Sequence, residues 1–532
     1  MQPVHWTLVA MVLSLTMTEG RGQDAPRGAN PAAVAEVKGG KKTEARASWW
    51  GFDPKEATRA LQGAIDSGAR KVVVENMGTP WIVDEITLRG DQEIVFEPGV
   101  IVQAKRGAFK GRNAALFKAV SVKNLTLRGP GATLRMWRED YDDPKQYKKA
   151  EWRNVVTLLS CANVQILGLT LAESGGDGIY LGVSRGPNTD ILIQDVTCDR
   201  NYRQGISVIS ARGLTIERCV LKNTAGTAPM AGIDFEPNSP REEIADCVMR
   251  DCLVENNTGD GYLFALHEFD STARPVSVRL ERCRSVGNRS GVQIHAGSAA
   301  GGKPVKGELV ALDCEFTGSV QSGLVVGPKP DSGCVVRFER CRVVNAAVKH
   351  PELAPILLQG GSGDLLGTGG VAFVDCTIVD PLQRKPIGYH DTAGGRKLVG
   401  VSGTLTVEHA GRRETIALDQ ARIDAWFPIQ AFRRFPPYPG REGPYEPLAP
   451  SGSRKQWSCN VRQRGKAEWL VWAEAGAEVA LTVRVQTVGK SPLQAVPVSW
   501  IGPSGKETKL GEARGTLNVS FRAVETGAQR IV

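Results

Sequence analysis

The chain has 532 residues and a formal net charge of +9, with 60 glycines and an aromatic content of 6%. Its length suits one large domain and one or two small ones. Lysine and arginine are spread along the chain rather than gathered into blocks, so the sequence does not indicate a nucleic-acid-binding protein.

The N-terminus has the pattern of an export signal. Leu8 to Leu15 form a short apolar run that is followed by small and polar residues, which predicts a signal peptide over residues 1–22. A retained anchor and a wrongly assigned start are the alternatives. The apolar run is too short to span a bilayer as a helix. We therefore expect a secreted, periplasmic or cell-surface protein without an integral membrane segment, in which residues 23–47, rich in Ala, Gly and Lys, form a disordered linker.

A helix and three strands are predicted next. Asp53, Pro54 and Glu56 form a helix start, and the alanines and leucine that follow lie on one helical face up to Gly68. Lys71 to Val74, Trp81 to Leu88 and Glu93 to Gln103 are predicted strands. An amphipathic helix in front of the first strand of a solenoid usually covers its open end, so we expect a structural cap here.

A glycine-led pattern then recurs along the middle of the chain. Each copy is a Gly followed by alternating apolar and variable positions, which favours strands over helices. The copies begin at Gly178, Gly205, Gly232, Gly261, Gly291 and Gly323. A recurrence of roughly 20–40 residues is typical of a solenoid, so the variable positions should form one long external face.

The cysteines repeat in a similar way. Seven of them occur in similar contexts: Cys198, Cys219, Cys252, Cys283, Cys314, Cys341 and Cys376. Coils stacked at ~4.8 Å would bring the thiols into an internal ladder. That spacing exceeds the ~3.5–4.5 Å between Cβ atoms of a disulfide, so we expect buried free thiols. No C-x-x-C pair is present, and no metal site is predicted.

With Asn223, Asn256 and Asn288 at the turns, these features resemble the right-handed parallel β-helix of the pectate-lyase-like superfamily. We therefore predict an all-β fold in which residues 48–400 form a right-handed parallel β-helix with an N-terminal capping helix. The resemblance implies a carbohydrate-active protein with a polysaccharide partner. It implies no single activity, because this fold is used by lyases, hydrolases, epimerases, tailspikes and adhesins.

The pattern changes after residue 400. Residues 401–455 are predicted to be a Pro-rich linker. From residue 456 to 532, short alternating segments such as Val479 to Val485 and Leu517 to Phe521 predict a small antiparallel β-sandwich-like domain.

Three carboxylates on the external face are the candidate catalytic residues. Asp234 and Glu236 alternate with inward Ile233 and Phe235, so both should point outward, ~6.5–7 Å apart. Asp177 should lie two coils away, at ~9.5 Å. Inverting glycoside hydrolases separate their two carboxyl groups by ~6.5–9.5 Å, which makes hydrolysis the leading hypothesis. A role for Asp177 in shaping its turn is the alternative.

Other residues are candidates for substrate binding. Arg203, Tyr180, His295 and Arg289 align on the same face; a lyase could use Tyr180 or His295 as base and an arginine to neutralise a uronate carboxylate. The arginines and the histidine could also be ordinary surface residues. Calcium is considered for the lyase alternative alone, and no other cofactor is expected.

The insertion at residues 135–153 contains Trp137 and Tyr141, which could stack on sugar rings or could instead be buried against the solenoid.

Two further hypotheses remain open. Phe235-Glu236-Pro237-Asn238 is similar to the Phe-Asp-Pro-His motif of alginate C5-epimerases, but Glu236 replaces the Asp and Asn238 replaces the His. The third class is a non-enzymatic, glycan-binding or adhesive solenoid.

Overall fold

The computed structural model describes residues 27–297, 304–360, 368–391, 397–428, 432–434, 468–473, 475–485, 495–525 and 527–532. The predicted signal peptide, residues 1–22, lies outside these ranges. Over these described residues, helices are few: three α-helices, Pro31–Lys38, Thr58–Ile65 and Gln420–Trp426, and three short 3₁₀ helices, Ala47–Trp50, Arg138–Asp142 and Leu266–Glu268. No helix in the described part of the chain is both long enough and apolar enough to cross a membrane.

The main domain is a right-handed parallel β-solenoid, as the glycine repeat predicts. One face of the solenoid is an eleven-stranded sheet in which each strand pairs in parallel with the strand of the next coil. Its strands, in stacking order, are Ile86–Thr87, Ala115–Val120, Asn154–Leu159, Asp177–Gly182, Gln204–Val208, Ala231–Phe235, Tyr262–Ala265, Val292–His295, Leu324–Val326, Ile356–Gly360 and Ile387–Asp391. This eleven-stranded sheet carries all the copies of the glycine-led pattern.

The rest of each coil forms two further strand columns. The first column contains Glu44–Arg46, Lys71–Val74, Gln92–Phe96, Lys123–Arg128, Ala162–Leu167, Asn188–Gln194, Ala211–Glu217, Ile244–Arg250, Val276–Glu281, Gly307–Leu312 and Val335–Glu339. The second contains Trp81–Val83, Ile101–Ala104, Thr133–Arg135, Thr170–Ala172, Thr197–Asp199, Val220–Lys222, Leu253–Glu255, Arg284–Val286, Glu315–Thr317 and Arg342–Val344. The long strands Thr368–Val379 and Leu398–His409 extend both columns, and Arg412–Leu418 pairs antiparallel with the latter.

Alternation within each strand builds the core. On the Ala231–Phe235 strand, Ile233 and Phe235 point into the solenoid and are fully buried. The ring of Phe235 stacks on that of Phe264 in the next coil, with centroids 5.0 Å apart. Since the neighbouring residue of each strand must face the other way, Asp234 points out of the solenoid, as predicted.

The corners between the first and second columns carry a ladder of charges. The corner residues have positive φ, and opposite charges alternate along the stack. Three bidentate pairs join adjacent coils: Asp195 with Arg218, Asp251 with Arg282, and Asp313 with Arg340. We name these pairs the corner ladder.

Buried thiols form the predicted internal ladder. Six thiols each donate to a carbonyl of the preceding coil, at 3.3–3.6 Å: Cys219, Cys252, Cys283, Cys314, Cys341 and Cys376. Cys198, grouped with them by sequence context, lies instead within the Thr197–Asp199 strand and is not part of the ladder. All ten described cysteines are buried and unpaired by disulfides.

We therefore expect these ten thiols to resist alkylation in the folded protein. Burial keeps reagent out and raises the pKa of groups such as Cys247, to about 12, which disfavours the reactive thiolate. Native and denatured samples should be treated with iodoacetamide and compared peptide by peptide by mass spectrometry. Modification of the described cysteines at equal rates in both samples would contradict the ladder.

The N-terminal region differs from the prediction in three respects. Residues 27–47, part of the predicted disordered linker, contain the Pro31–Lys38 helix and the Glu44–Arg46 strand, because Val37 and Ala45 are buried. The capping helix begins at Thr58 rather than beside Asp53, whose carboxylate instead accepts a bond from the Lys55 amide in a turn.

Two predicted strands, Trp81 to Leu88 and Glu93 to Gln103, are each divided into two. The second divides at the Pro98–Gly99 turn, where Gly99 has a φ of 78°.

The region after residue 400 also contains more structure than predicted. Residues 401–428, placed in the linker, complete the Leu398–His409 strand and add Arg412–Leu418 and the Gln420–Trp426 helix. Asp419 caps that helix by accepting from the Arg422 amide at 2.8 Å. The Pro-rich residues 435–455 lie outside the described part.

The C-terminal module has two antiparallel sheets. A five-stranded sheet contains Phe432–Arg434, Glu468–Ala473, Gly527–Ile531, Val496–Ile501 and Glu507–Ala513. Glu478–Arg484 and Thr516–Arg522 form the second sheet. Trp500 of one sheet stacks on Phe521 of the other at 4.5 Å, so the two sheets face each other as predicted for a small sandwich.

Candidate active site

Strand register brings the candidate residues together on the outer face of the eleven-stranded sheet. Tyr180, Ser207 and Asp234 are aligned on three successive coils, and Asp177 is aligned with Gln204 three residues earlier. Glu236 directly follows the Ala231–Phe235 strand, and its amide donates to the Val208 carbonyl. The three predicted carboxylates, Asp177, Asp234 and Glu236, therefore form one group, which we call the carboxyl cluster.

The carboxyl cluster is less accessible than the sequence predicts. Asp177 and Asp234 are 0% and 1% exposed, although both lie on the outer side of the sheet. Gln204 and Ser207 beside them are also buried. Buried polar groups are costly unless they are hydrogen-bonded, so this face must be organised around its own internal contacts.

Arg203 is the centre of those contacts. Its Nη1 and Nη2 donate to the two carboxylate oxygens of Glu236 at 2.6 and 2.7 Å. Nη1 also donates to Ser207 Oγ at 3.3 Å and lies 3.7 Å from Asp177 Oδ2. A planar guanidinium suits such a bidentate contact, so Arg203 fixes the orientation of the Glu236 carboxylate.

Gln204 and Ser207 connect the other two carboxyl groups. Gln204 Nε2 donates to Asp234 Oδ2 at 3.1 Å and to Glu236 Oε1 at 3.2 Å, and Ser207 Oγ donates to Asp177 Oδ2 at 2.9 Å. The second oxygens, Asp177 Oδ1 and Asp234 Oδ1, are buried and accept no hydrogen bond from any residue that the structure describes.

Burial changes the protonation of this group. It raises the pKa of Asp234 well above its usual value, and the nearby Glu236 charge acts in the same direction. Burial also raises the pKa of Asp177 to about 7, against the opposing effect of Arg203. Burial therefore favours the protonated form of Asp234, and the Asp177 carboxyl is near its midpoint at neutral pH.

Tyr180 stays protonated. The pKa of its phenol is raised to about 12, first by burial and second by the charge of Asp177. Its ring lies across Gly182, where an added Cβ would meet the ring at 2.3 Å. A phenol with a raised pKa is a poor base at neutral pH, which counts against Tyr180 as the base of a lyase.

The predicted inverting separation is wrong for the nearest oxygens. Asp234 Oδ2 and Glu236 Oε1 both lie within 3.2 Å of Gln204 Nε2, so they are closer together than ~6.5 Å, the lower end of the inverting range. Side chains on one strand converge here because a shared amide donor draws them together.

The aromatic residues of the insertion hold the insertion in place. Tyr141 is buried against Tyr147, and Trp137 is partly buried and donates its indole N–H to the Ala104 carbonyl at 2.6 Å. The guanidinium of Arg106 lies 3.9 Å from the Trp137 ring centroid. These contacts favour the alternative, that the aromatic residues pack against the solenoid, and a role of Trp137 and Tyr141 in substrate binding stays a prediction.

The structure places Arg289 and His295 in a separate group. Arg289 pairs with buried Asp260, with its Nε 3.1 Å from Asp260 Oδ1, and Gln293 Nε2 lies 2.8 Å from His295 Nε2. His295 is on a strand two coils beyond the Asp234 strand, a distance of ~9.5 Å along the stack. These residues do not contact the carboxyl cluster.

Three residues of the site were not selected from the sequence. Gln204 and Ser207 lie in the glycine-led pattern, and the alternation of that strand would have placed Ser207, but not Gln204, outward. Glu151 comes from the insertion, and its carboxylate lies 3.8 Å from Arg203 Nε. Contacts of this kind depend on how the insertion folds, which the repeat pattern does not indicate.

Over the described residues, no three His, Cys, Asp or Glu side chains are grouped as metal ligands would be.

Comparisons with known proteins agree with the architecture. Residues 151–378 match the family model described as "Right handed beta helix region". No curated protein sequence matches the chain. Solved structures with a similar course include the mannuronan C-5 epimerase AlgE6 A-module of Azotobacter vinelandii, at 14% identity and a TM-score of 0.46 over 69% of this chain and 94% of that one.

Two others are similar at the same level. The Family 28 exopolygalacturonase of Yersinia enterocolitica is 11% identical with a TM-score of 0.43, over 67% of this chain and 79% of that one. The surface adhesin PfbA of Streptococcus pneumoniae is 12% identical with a TM-score of 0.45, over 71% of this chain and 97% of that one.

Proposed function

We propose that this right-handed parallel β-helix protein is a glycoside hydrolase acting on a polysaccharide. The observation that carries the proposal is the pairing of buried Asp234, one oxygen of which accepts no bond among the described residues, with the Glu236 carboxylate that Arg203 holds through two hydrogen bonds. Glycoside hydrolysis needs one protonated and one ionised carboxyl group at the same bond. We propose that the protein is located outside the cell, at the cell surface or in the periplasm.

Each carboxyl group has a role in this proposal. Asp234, whose protonated form is favoured by burial, donates its proton to the oxygen of the leaving sugar. Glu236, held in a fixed orientation by Arg203, is the carboxylate that attacks the anomeric carbon, and water then hydrolyses the resulting glycosyl-enzyme ester. Asp177 adds negative charge that helps Asp234 to keep its proton.

Substrate access requires side chains to move. Asp177 and Asp234 are buried, whereas Glu236 and Glu151 are 18% and 35% exposed. A saccharide therefore first meets Glu151 and Glu236, and its hydroxyl groups then compete for the bonds that hold the cluster closed.

The proposal is tested by digesting a panel of polysaccharides and measuring two products in each reaction. We expect new reducing ends without the absorbance of unsaturated uronates. Unsaturated ends would assign the protein to the lyases. Proton exchange into the polymer without cleavage would indicate a C5-epimerase, and binding without any reaction would indicate an adhesive solenoid.

A further inference from the structure

The insertion is fastened to the solenoid by a buried arginine. Arg153 is fully buried, and its guanidinium lies 5.3 and 5.4 Å from the ring centroids of Tyr141 and Tyr147. Its Nε donates to the Phe109 carbonyl at 2.9 Å and its Nη2 to the Lys148 carbonyl at 2.8 Å. The end of the insertion therefore has a fixed course.

That course passes directly over the turn that leads into Asp177. A Cβ added to Gly176 would come within 2.7 Å of the Arg153 amide nitrogen and 2.8 Å of the Glu151 carbonyl. Asn154 Oδ1 accepts from the Asp177 amide at 2.8 Å. Because the backbones touch, Glu151 is held beside the carboxyl cluster rather than placed there by a flexible loop.

The Glu151 carboxylate is available to a ligand. It is 35% exposed and accepts no side-chain hydrogen bond from the described residues, with Arg203 Nε 3.8 Å away. Arg203 already gives its two terminal nitrogens to Glu236. A side chain in this state can accept hydrogen bonds from a bound molecule without first losing bonds of its own.

The balance of charge around the site is negative. Four carboxyl groups, those of Glu151 and the carboxyl cluster, surround one guanidinium. In the described part of the chain, no lysine and no arginine other than Arg203 lies within 4.0 Å of any of the four. A substrate carboxylate would be repelled here, whereas a cationic group would be attracted.

One unpartnered oxygen points to the same kind of ligand independently of net charge. Asp177 Oδ1 is a buried acceptor without a donor among the described residues. An ammonium group has three donors and no acceptor, and it would add no further unpaired acceptor to this site.

We propose, on the basis of the hydrolase function above, that the site takes a saccharide that carries an ammonium group, and that Glu151 recognises that group. The substrate class is thus an amino-sugar polymer rather than a polyuronate. Glu151 determines specificity, and the bond-breaking chemistry stays with the carboxyl cluster.

The test compares three oligosaccharides of one length and one β-1,4 backbone: oligomers of glucosamine, glucose and glucuronate. Binding is measured by calorimetry with the wild type, Glu151→Gln and Glu139→Gln. Glu139 is an exposed carboxylate on the same insertion and away from Arg203, so its substitution is a charge-matched control. Each titration is repeated at raised salt, which screens ionic contacts.

We expect the glucosamine oligomer to bind most tightly, with an affinity that falls as salt is raised. Glu151→Gln should weaken that binding roughly three- to fivefold and leave the glucose oligomer unchanged, while Glu139→Gln changes neither. Equal or tighter binding of the glucose or glucuronate oligomer, or no binding of the glucosamine oligomer, overturns the inference.

The two proposals fail separately. Hydrolysis of a neutral or acidic polymer, without preference for ammonium, would retain the hydrolase and refute the role of Glu151. Binding that prefers an ammonium-bearing oligomer, with no new reducing ends from any polymer, would retain the role of Glu151 and refute the hydrolase.

Discussion

Asp234→Asn is expected to lower kcat for polysaccharide cleavage by roughly 10²–10⁴-fold, the contribution typical of a general acid. An amide cannot donate the proton that the leaving sugar oxygen requires. Asparagine has the same shape as the protonated acid, and its carbonyl can still accept from Gln204 Nε2, which now donates to Asp234 Oδ2 at 3.1 Å. The variant should therefore fold normally and lose activity through chemistry alone.

The matched control is Asp246→Asn. Asp246 is exposed and has a φ of 54°, a conformation that asparagine tolerates well. Its activity should equal that of the wild type. Initial rates on the best substrate of the panel decide the matter: if Asp234→Asn keeps more than about a tenth of the activity, Asp234 is not the acid.

The free energy of unfolding should fall as the pH rises from about 4 to about 7, and Asp177→Asn should remove much of that fall. The folded protein holds the Asp177 proton up to a pKa of about 7, whereas an unfolded aspartate releases it near ~3.9. Between these two pKa values the folded state binds more protons than the unfolded state. The stabilisation that protonated Asp177 contributes is therefore fully present below the lower pKa and is lost as the pH rises through the upper one. For this buried group the change is on the order of 4 kcal/mol.

Urea unfolding of the wild type and of Asp177→Asn, at about pH 4 and about pH 8, measures this difference. At the lower pH the two proteins should have similar stability. At the higher pH the variant should be the more stable one, because it has no charge to bury. A variant that is less stable than the wild type at both values would mean that Asp177 is ionised and structurally required. Asp246→Asn again serves as the control.

The solenoid could be predicted from the sequence because each coil repeats the same local requirement. One coil shows this requirement directly: Gly232 has no side chain, and Ile233 and Phe235 supply the apolar side chains that fill the core. A one-residue slip would put Asp234 into the core and Ile233 into solvent, so the register was determined by the same pattern. The direction of the Asp234 side chain was therefore predictable.

The state of Asp234 was not predictable in the same way. Its burial depends on Gln204, which donates to it from the preceding coil, and on the pair that Arg203 of that coil forms with Glu236 beside it. Pattern analysis gives the face on which a residue lies, but not which neighbours cover it. The same limit applies to Trp137 and Tyr141, because the sequence around an aromatic loop residue does not show whether that residue faces a ligand or anchors the loop.

The ends of the solenoid show a different limit. Residues 27–47 and 401–428 looked irregular because each has a composition unlike the repeat. They fold because they cover the first and last coils, and a covering segment is used once and therefore has no period to detect.

The corner ladder has a consequence for how this solenoid can change length. Asp195, Arg218, Asp251 and Arg282 occupy successive coils, so charge at this corner alternates with a period of two coils. Loss or duplication of a single coil would set like charges next to each other at ~4.8 Å, whereas loss or duplication of two adjacent coils restores the alternation. A change in the length of the stack is thus favoured when it adds or removes an even number of coils. The natural module for building longer or shorter relatives of this protein is a pair of coils.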